Sequence, residues 1–241
     1  MTRMIPNLLT IFNLISGTTA ILLFIKGYPE LSLLFFVFCL LFDFADGLTA
    51  RLLKATSEIG KQLDSFSDLV SFGVFPAIAV HEVLHQALIT HGSISYPAYI
   101  FAYFVVIIPA AGSIRLAYFN TEDQNSVYFK GLPIPAAAIG LLSLVFTTKY
   151  LSEFSIMFNM QQFITNPFTI SGVIILMSIM MVTKIPMLSF KFGALNWIEN
   201  KHRIIFLAII TGGILWFKLW ALPFLIPFYI LYSLLFIRRA N

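Results

Sequence analysis

The sequence predicts an all-α membrane protein, a polytopic bundle of about eight transmembrane helices, and three observations carry that expectation. Of its 241 residues, 59% are apolar and 11% charged, whereas a soluble domain carries about 25% charged residues. The apolar residues gather in eight stretches, each near the roughly 20 residues that a helix needs to cross a hydrocarbon core. Within each stretch the apolar run is continuous, which separates helices from the alternating strands of a membrane barrel.

The stretches run over 8–26, 31–53, 64–90, 96–119, 132–151, 168–186, 203–220 and 221–238. Short polar breaks divide them and no soluble domain is left over. The whole of 1–241 therefore reads as one membrane domain, a six-helix unit with two added C-terminal helices at about 203–238. In the first span Thr10, Asn13, Ser16, Thr18 and Thr19 interrupt the apolar run. No small-residue cleavage pattern accompanies it, so it reads as a retained helix with one polar face rather than a signal peptide. The second span holds Cys39, the single cysteine, which excludes an intramolecular disulfide and a cysteine-based metal site.

Orientation follows from the basic residues, because cytoplasmic loops retain Lys and Arg. With the N-terminus inside, Arg3, Arg51, Lys54, Lys61, Arg115, Lys130, Lys184, Lys191, Lys201, Arg203, Arg238 and Arg239 all fall on the cytoplasmic side. Lys26, Lys149 and Lys218 face out. The bias supports an even number of spans with both termini in the cytoplasm. It also accounts for the net charge of +4 through topology and anionic headgroups rather than nucleic acid.

Asp43, Asp46, Asp64 and Asp68 stand where the second span ends and the third begins. A carboxylate on a membrane helix costs a few kcal/mol or more, so it marks a functional site with a partner to be named. At 100° per residue Asp43, Asp46, Gly47, Ala50 and Arg51 share one helix face, and Gly60, Asp64 and Asp68 stack one turn apart on the next. The short connection 54–59 makes the two helices antiparallel neighbours, so the two carboxylate pairs face each other. The small residues Gly47, Ala50 and Gly60 leave room for a ligand against the backbone. An all-oxygen donor set suits two hard divalent cations, Mg²⁺ or Mn²⁺, bridging substrate phosphates, and not zinc. Solvated loop charges would need no fixed helical spacing. An ion pathway in a cation-coupled transporter is the alternative from another class.

The segment Asp43-Phe-Ala-Asp46-Gly47-Leu-Thr-Ala50-Arg51, followed by Gly60, Asp64 and Asp68 at intervals of eight, three and three residues, resembles the signature of the CDP-alcohol phosphotransferases. Eight fixed positions agree by chance on the order of 10⁻¹⁰ times per starting point. The resemblance implies transfer of a phosphoalcohol from a CDP-linked donor to an alcohol, with release of CMP. It implies that Asp43 and Asp64 touch both metals, Asp46 the first and Asp68 the second, and that Asp68 is the general base. It places Gly47, Arg51 and Ser57, with Asn7 of the Pro6-Asn7 entry to the first span, against the cytidine diphosphate. A homodimer is likewise implied by the family.

Ser71-Phe72-Gly73-Val74-Phe75-Pro76-Ala77, and the stretch from Arg115 through Asn120 to Phe129-Lys130-Gly131-Leu132-Pro133, are similar to segments of the integral-membrane phosphatidylserine synthases. That likeness, with the signature, covers roughly the first 140 residues. It implies CDP-diacylglycerol as donor and L-serine as acceptor. Arg115 and Lys130, flanking a loop that carries Asn120, can hold a serine carboxylate. Glycerol 3-phosphate and inositol phosphate are anionic as well, so these charges alone do not choose among acceptors, and both residues also suit membrane anchoring.

His81-Glu82-Val-Leu-His85 matches the helical zinc motif H-E-x-x-H, with His91 in the place of a third ligand. The glycine that the longer pattern requires is Leu88, and no soluble domain is present to form a protease cleft. Thirteen residues of helix, about 20 Å, separate Asp68 from His81. The histidines are therefore expected at the opposite membrane face, and His202 reads as a charged-loop residue before the seventh span.

Overall fold

The computed structural model describes residues 4–90, 102–121, 128–150, 165–188 and 222–237. Its helices are α1 Met4–Ile25, α2 Pro29–Leu52, α3 Glu58–Asp68, α4 Phe75–Thr90, α5 Ile107–Thr121, α6 Ile134–Tyr150, α7 Pro167–Val182 and α8 Leu222–Ile237. A π-helical turn, Leu69–Val74, joins α3 to α4, and a 3₁₀ turn, Tyr103–Val106, leads into α5. Four helical runs are long and apolar enough to cross a membrane: Met4–Ile25, Pro29–Leu52, Glu58–Thr90 and Tyr103–Thr121. The fifth and sixth expected spans are shorter apolar helices, α6 and α7, and the eighth coincides with α8. The seventh span, 203–220, lies outside the described residues, as do His91, His202 and the basic residues at 191, 201, 203, 218, 238 and 239.

On α1 small and polar residues face inward and large apolar residues outward, as on helices surrounded by lipid. On α1 the buried residues include Thr10, Asn13, Ser16, Gly17 and Ala20, while Leu8, Phe12, Ile15 and Leu22 are exposed. Gly17 allows the closest approach. A Cβ there would lie 3.0 Å from the Ser71 Cα, so only glycine lets α1 sit directly on the π turn. On α2 the Ser32 hydroxyl donates to the Ala20 carbonyl of α1 at 2.7 Å. Phe36 meets Phe72 and Phe75 with ring centroids 5.9 Å away in each case, which locks α2 to the run from α3 to α4.

The third run begins six residues before the expected start at 64, because Ser57 caps it. Its side chain accepts from the Gly60 N–H, satisfying an otherwise orphaned donor of the first turn. The ladder then widens at Leu69–Val74, and the Phe75 N–H reaches back five residues to the Val70 carbonyl. Pro76 follows at once and has no N–H to continue an α-ladder.

A pair of three-residue strands, absent from the sequence expectation, supplements the helices. β1, Tyr128–Lys130, pairs antiparallel with β2, Pro186–Leu188, with Phe129 opposite Met187. Gly131 follows β1 at φ +84°, and a Cβ there would stand 2.8 Å from the Met181 carbonyl. Its N–H donates to the Ile185 carbonyl at 2.7 Å, and that of Leu132 to Met180 at 2.9 Å.

The α1–α2 turn, the C-terminal ends of α4 and α6 and Thr165 before α7 border one cavity and so share one end of the molecule. The α2–α3 turn and Asn120 near the end of α5 lie at the other, tied by the Lys61 ammonium donating to the Asn120 carbonyl at 3.0 Å.

Candidate metal centre and active site

Asp43 and Asp46 occupy adjacent turns near the end of α2, and Asp64 and Asp68 adjacent turns of α3. The turn between the helices closes tightly. The Ala55 N–H reaches the Ala50 carbonyl at 2.9 Å and that of Lys54 reaches Arg51 at 3.2 Å, with Lys54 left-handed at φ 49°. That is a Schellman closure. It reverses the chain so that α3 packs, like α2, on α1, and carboxylate oxygens of Asp43, Asp64 and Asp68 then all fall within 4.8 Å of one another.

Asp68 is 7% and Asp46 5% exposed, and Asp43 and Asp64 are half-buried. The charges that act on Asp43, Asp64 and Asp68 among the described residues are those of the other aspartates. Grouped buried anions without a counter-charge are strongly disfavoured. Asp64 Oδ1 is buried and accepts no hydrogen bond, an orphaned oxygen that a cation would satisfy. An all-carboxylate donor set with such an acceptor fits a hard divalent cation. Asp46 stands outside the triangle, its Oδ2 accepting from the Thr10 hydroxyl at 2.6 Å, but it is near enough to act electrostatically on the other three.

The small residues divide into two kinds. A Cβ at Gly47 would meet nothing within 4 Å, so the backbone there is open to a ligand. A Cβ at Gly60 would stand 2.9 Å from both Asn7 Oδ1 and Ser57 Oγ. Gly60 thus makes room for two side chains that the resemblance also places against the nucleotide. Ala50 is half-buried, and the exposed Arg51 donates from Nε to the Gly47 carbonyl at 3.0 Å.

Of the residues expected to meet the acceptor, Asn120 is tied to α3 beside an aspartate. Its Nδ2 donates to Ser65 Oγ, next to Asp64, at 2.8 Å. Arg115 lies more than one turn further into the bundle, 5% exposed, with its guanidinium carbon 5.8 Å from the Phe119 ring centroid and in electrostatic contact with Tyr229 of α8. Burial to that degree does not suit a lipid-headgroup anchor. Lys130 ends β1, and its side chain lies outside the described residues.

His81 and His85 stack with ring centroids 6.0 Å apart, and Tyr103 stands 5.0 Å from His81. Among the described residues they do not form a metal-ready group with Glu82. They lie toward the opposite end from the aspartates, where His81, Glu82 and Gln86 border a cavity of about 810 Å³.

The sequence reading did not assign Thr10 and Asn13 to the site. Asn13 Nδ2 donates to Asp68 Oδ1 at 3.2 Å, one turn along α1 from the Thr10 contact with Asp46. Their signal in the sequence was the polar face of an otherwise apolar span.

Residues 3–231 match the CDP-alcohol phosphatidyltransferase family. The chain belongs to that family. Among its relatives is a CDP-diacylglycerol–serine O-phosphatidyltransferase of Bacillus subtilis, 36% identical over 143 residues, 59% of this chain and 76% of the relative. An archaetidylserine synthase of Methanothermobacter thermautotrophicus is 35% identical over 65% of this chain and 63% of its own length. A CDP-diacylglycerol–serine O-phosphatidyltransferase of Mycobacterium leprae is 27% identical over 59% of this chain and 47% of its own length. As a CDP-alcohol phosphatidyltransferase, the chain is a transferase of phospholipid synthesis whose acidic cluster can hold a metal.

Proposed function

We propose that this chain is a CDP-diacylglycerol–serine O-phosphatidyltransferase, working as a single membrane domain with eight spans and with both termini and the aspartates on the cytoplasmic side. The observation that carries the reading is the carboxylate triangle of Asp43, Asp64 and Asp68 on the family signature. The serine O-phosphatidyltransferases among its relatives favour serine as the acceptor.

On this reading Asp43 and Asp64 hold both of two divalent cations, Asp46 the first and Asp68 the second. When bound, Mg²⁺ or Mn²⁺ neutralises the pyrophosphate and orients the leaving group. Gly47 leaves the backbone open to the cytidine diphosphate, with Ala50, Arg51, Ser57, Gly60 and Asn7 around it. Ser57 Oγ accepts from Gly60, and its hydroxyl proton can still be donated to a phosphate. Asp68 takes the proton of the serine hydroxyl, an alcohol being a weak nucleophile near neutral pH. The serine oxygen then bonds to the phosphatidyl phosphorus, the bond from that phosphorus to the bridging oxygen breaks, and CMP leaves with that oxygen. Arg115, Asn120 and Lys130 line the approach of the amino acid, and two copies form a homodimer.

The test is CMP release by the purified chain from CDP-diacylglycerol and Mn²⁺ or Mg²⁺, with serine, glycerol 3-phosphate, inositol or inositol phosphate offered separately. Serine-specific release is expected. Release with another alcohol alone would keep the family chemistry and overturn the acceptor. No release from folded, metal-loaded protein would favour a cation-coupled transporter.

A further inference from the structure

We propose that Thr10 and Asn13 are positioning residues of the metal centre, each fixing one oxygen of a carboxylate so that the other oxygen is presented to the cation. The inference rests on reading the aspartates as that centre. The two residues stand one turn apart on the same face of α1. Thr10 Oγ1 lies 2.6 Å from Asp46 Oδ2, and Asn13 Nδ2 lies 3.2 Å from Asp68 Oδ1. The first is a short, charge-assisted bond.

Asn13 carries the sharper evidence. It is fully buried, yet its Oδ1 accepts no hydrogen bond. A buried unpaired carbonyl costs stability, and an apolar side chain of similar size would avoid that cost. Packing therefore does not explain an asparagine at this place, whereas its amide donor to Asp68 does. The opposite amide orientation would turn an oxygen toward the carboxylate, so Asp68 sets which way the group points.

The docking of α1 does not depend on these two side chains. The Ser67 hydroxyl donates to the Thr10 backbone carbonyl at 3.1 Å, and Ser71 Oγ and Cys39 Sγ donate to that of Asn13 at 3.3 and 3.6 Å. All three ties end on backbone oxygens and survive a change of side chain at 10 or 13. Removing a donor that orients a metal-binding side chain typically changes metal affinity or activity by about 10–100-fold.

The test compares Thr10→Val and Asn13→Leu, which keep size and lose the donor, with Thr10→Ser, which keeps the hydroxyl. Each full-length purified chain is titrated with Mn²⁺, free ion being read by electron paramagnetic resonance, and its metal-free thermal midpoint is recorded. Thr10→Val and Asn13→Leu are expected to bind Mn²⁺ about 10–100-fold more weakly while still unfolding cooperatively, and Thr10→Ser to bind like the unaltered protein. Unchanged affinity in Thr10→Val and Asn13→Leu would overturn the inference while leaving the metal reading intact. So would lost affinity that tracks a lowered midpoint and that Thr10→Ser does not restore, because the residues would then serve packing. Failure of the unaltered folded chain to bind Mn²⁺ would overturn the metal reading itself, and this inference with it.

Discussion

Asp68 sits at the junction of fold and chemistry, buried beneath α1, bonded to Asn13 and sharing a triangle with Asp43 and Asp64. With Asp68 as the base, Asp68→Asn should lower turnover by about 10²–10⁴-fold, measured as CMP release. Some nucleotide binding should persist, because the remaining aspartates still hold one cation. His81→Ala should leave the same rate nearly unchanged, since His81 borders the cavity at the opposite end of the molecule from the aspartates. A folded but inactive His81→Ala protein would restore the histidine motif as a functional candidate. The aspartates were legible in the sequence because a helical repeat of three or four residues fixes which side chains share a face. Thr10 and Asn13 were visible only as polar interruptions. Their partners lie 36 and 55 residues away, and local periodicity carries no information about contacts at that separation.

Among the elements, the turn after α2 and the turn after β1 place glycine-like geometry at a lysine and at a glycine. Lys54 is left-handed at φ 49°, a conformation that costs a side-chain-bearing residue roughly 1 kcal/mol. Lys54→Gly should therefore raise the thermal midpoint slightly or leave it unchanged. Gly131→Ala should do the reverse, by about 1–3 kcal/mol, because a methyl there meets the Met181 carbonyl at 2.8 Å. Thermal unfolding in one detergent compares the pair. The long apolar helices were legible from composition because lipid demands continuous apolar length. The π turn was not, and the β1–β2 pair was not, because three residues are too few to show an alternating period. The early start at Glu58 escaped because a polar first turn looks like loop until Ser57 is seen to cap it.

For the whole molecule, the distribution of basic residues and the end-to-end alternation of α1 to α7 make a topology that labelling can read. With Cys39, the single cysteine and buried, replaced by Ala, a membrane-impermeant maleimide on intact cells should modify Lys26→Cys and spare Lys54→Cys. The reverse pattern would invert the proposed orientation. Chelation should abolish activity and Mn²⁺ or Mg²⁺ restore it, with the metal-loaded protein melting higher than the metal-free one, because a cation bound only by the folded state stabilises it. The decisive measurement follows labelled L-serine into lipid by the purified chain with CDP-diacylglycerol and Mn²⁺. One phosphatidylserine is expected for each CMP released, with both lost together in Asp64→Asn. Serine entering lipid without CMP, or CMP released with no labelled lipid, would contradict the proposed function.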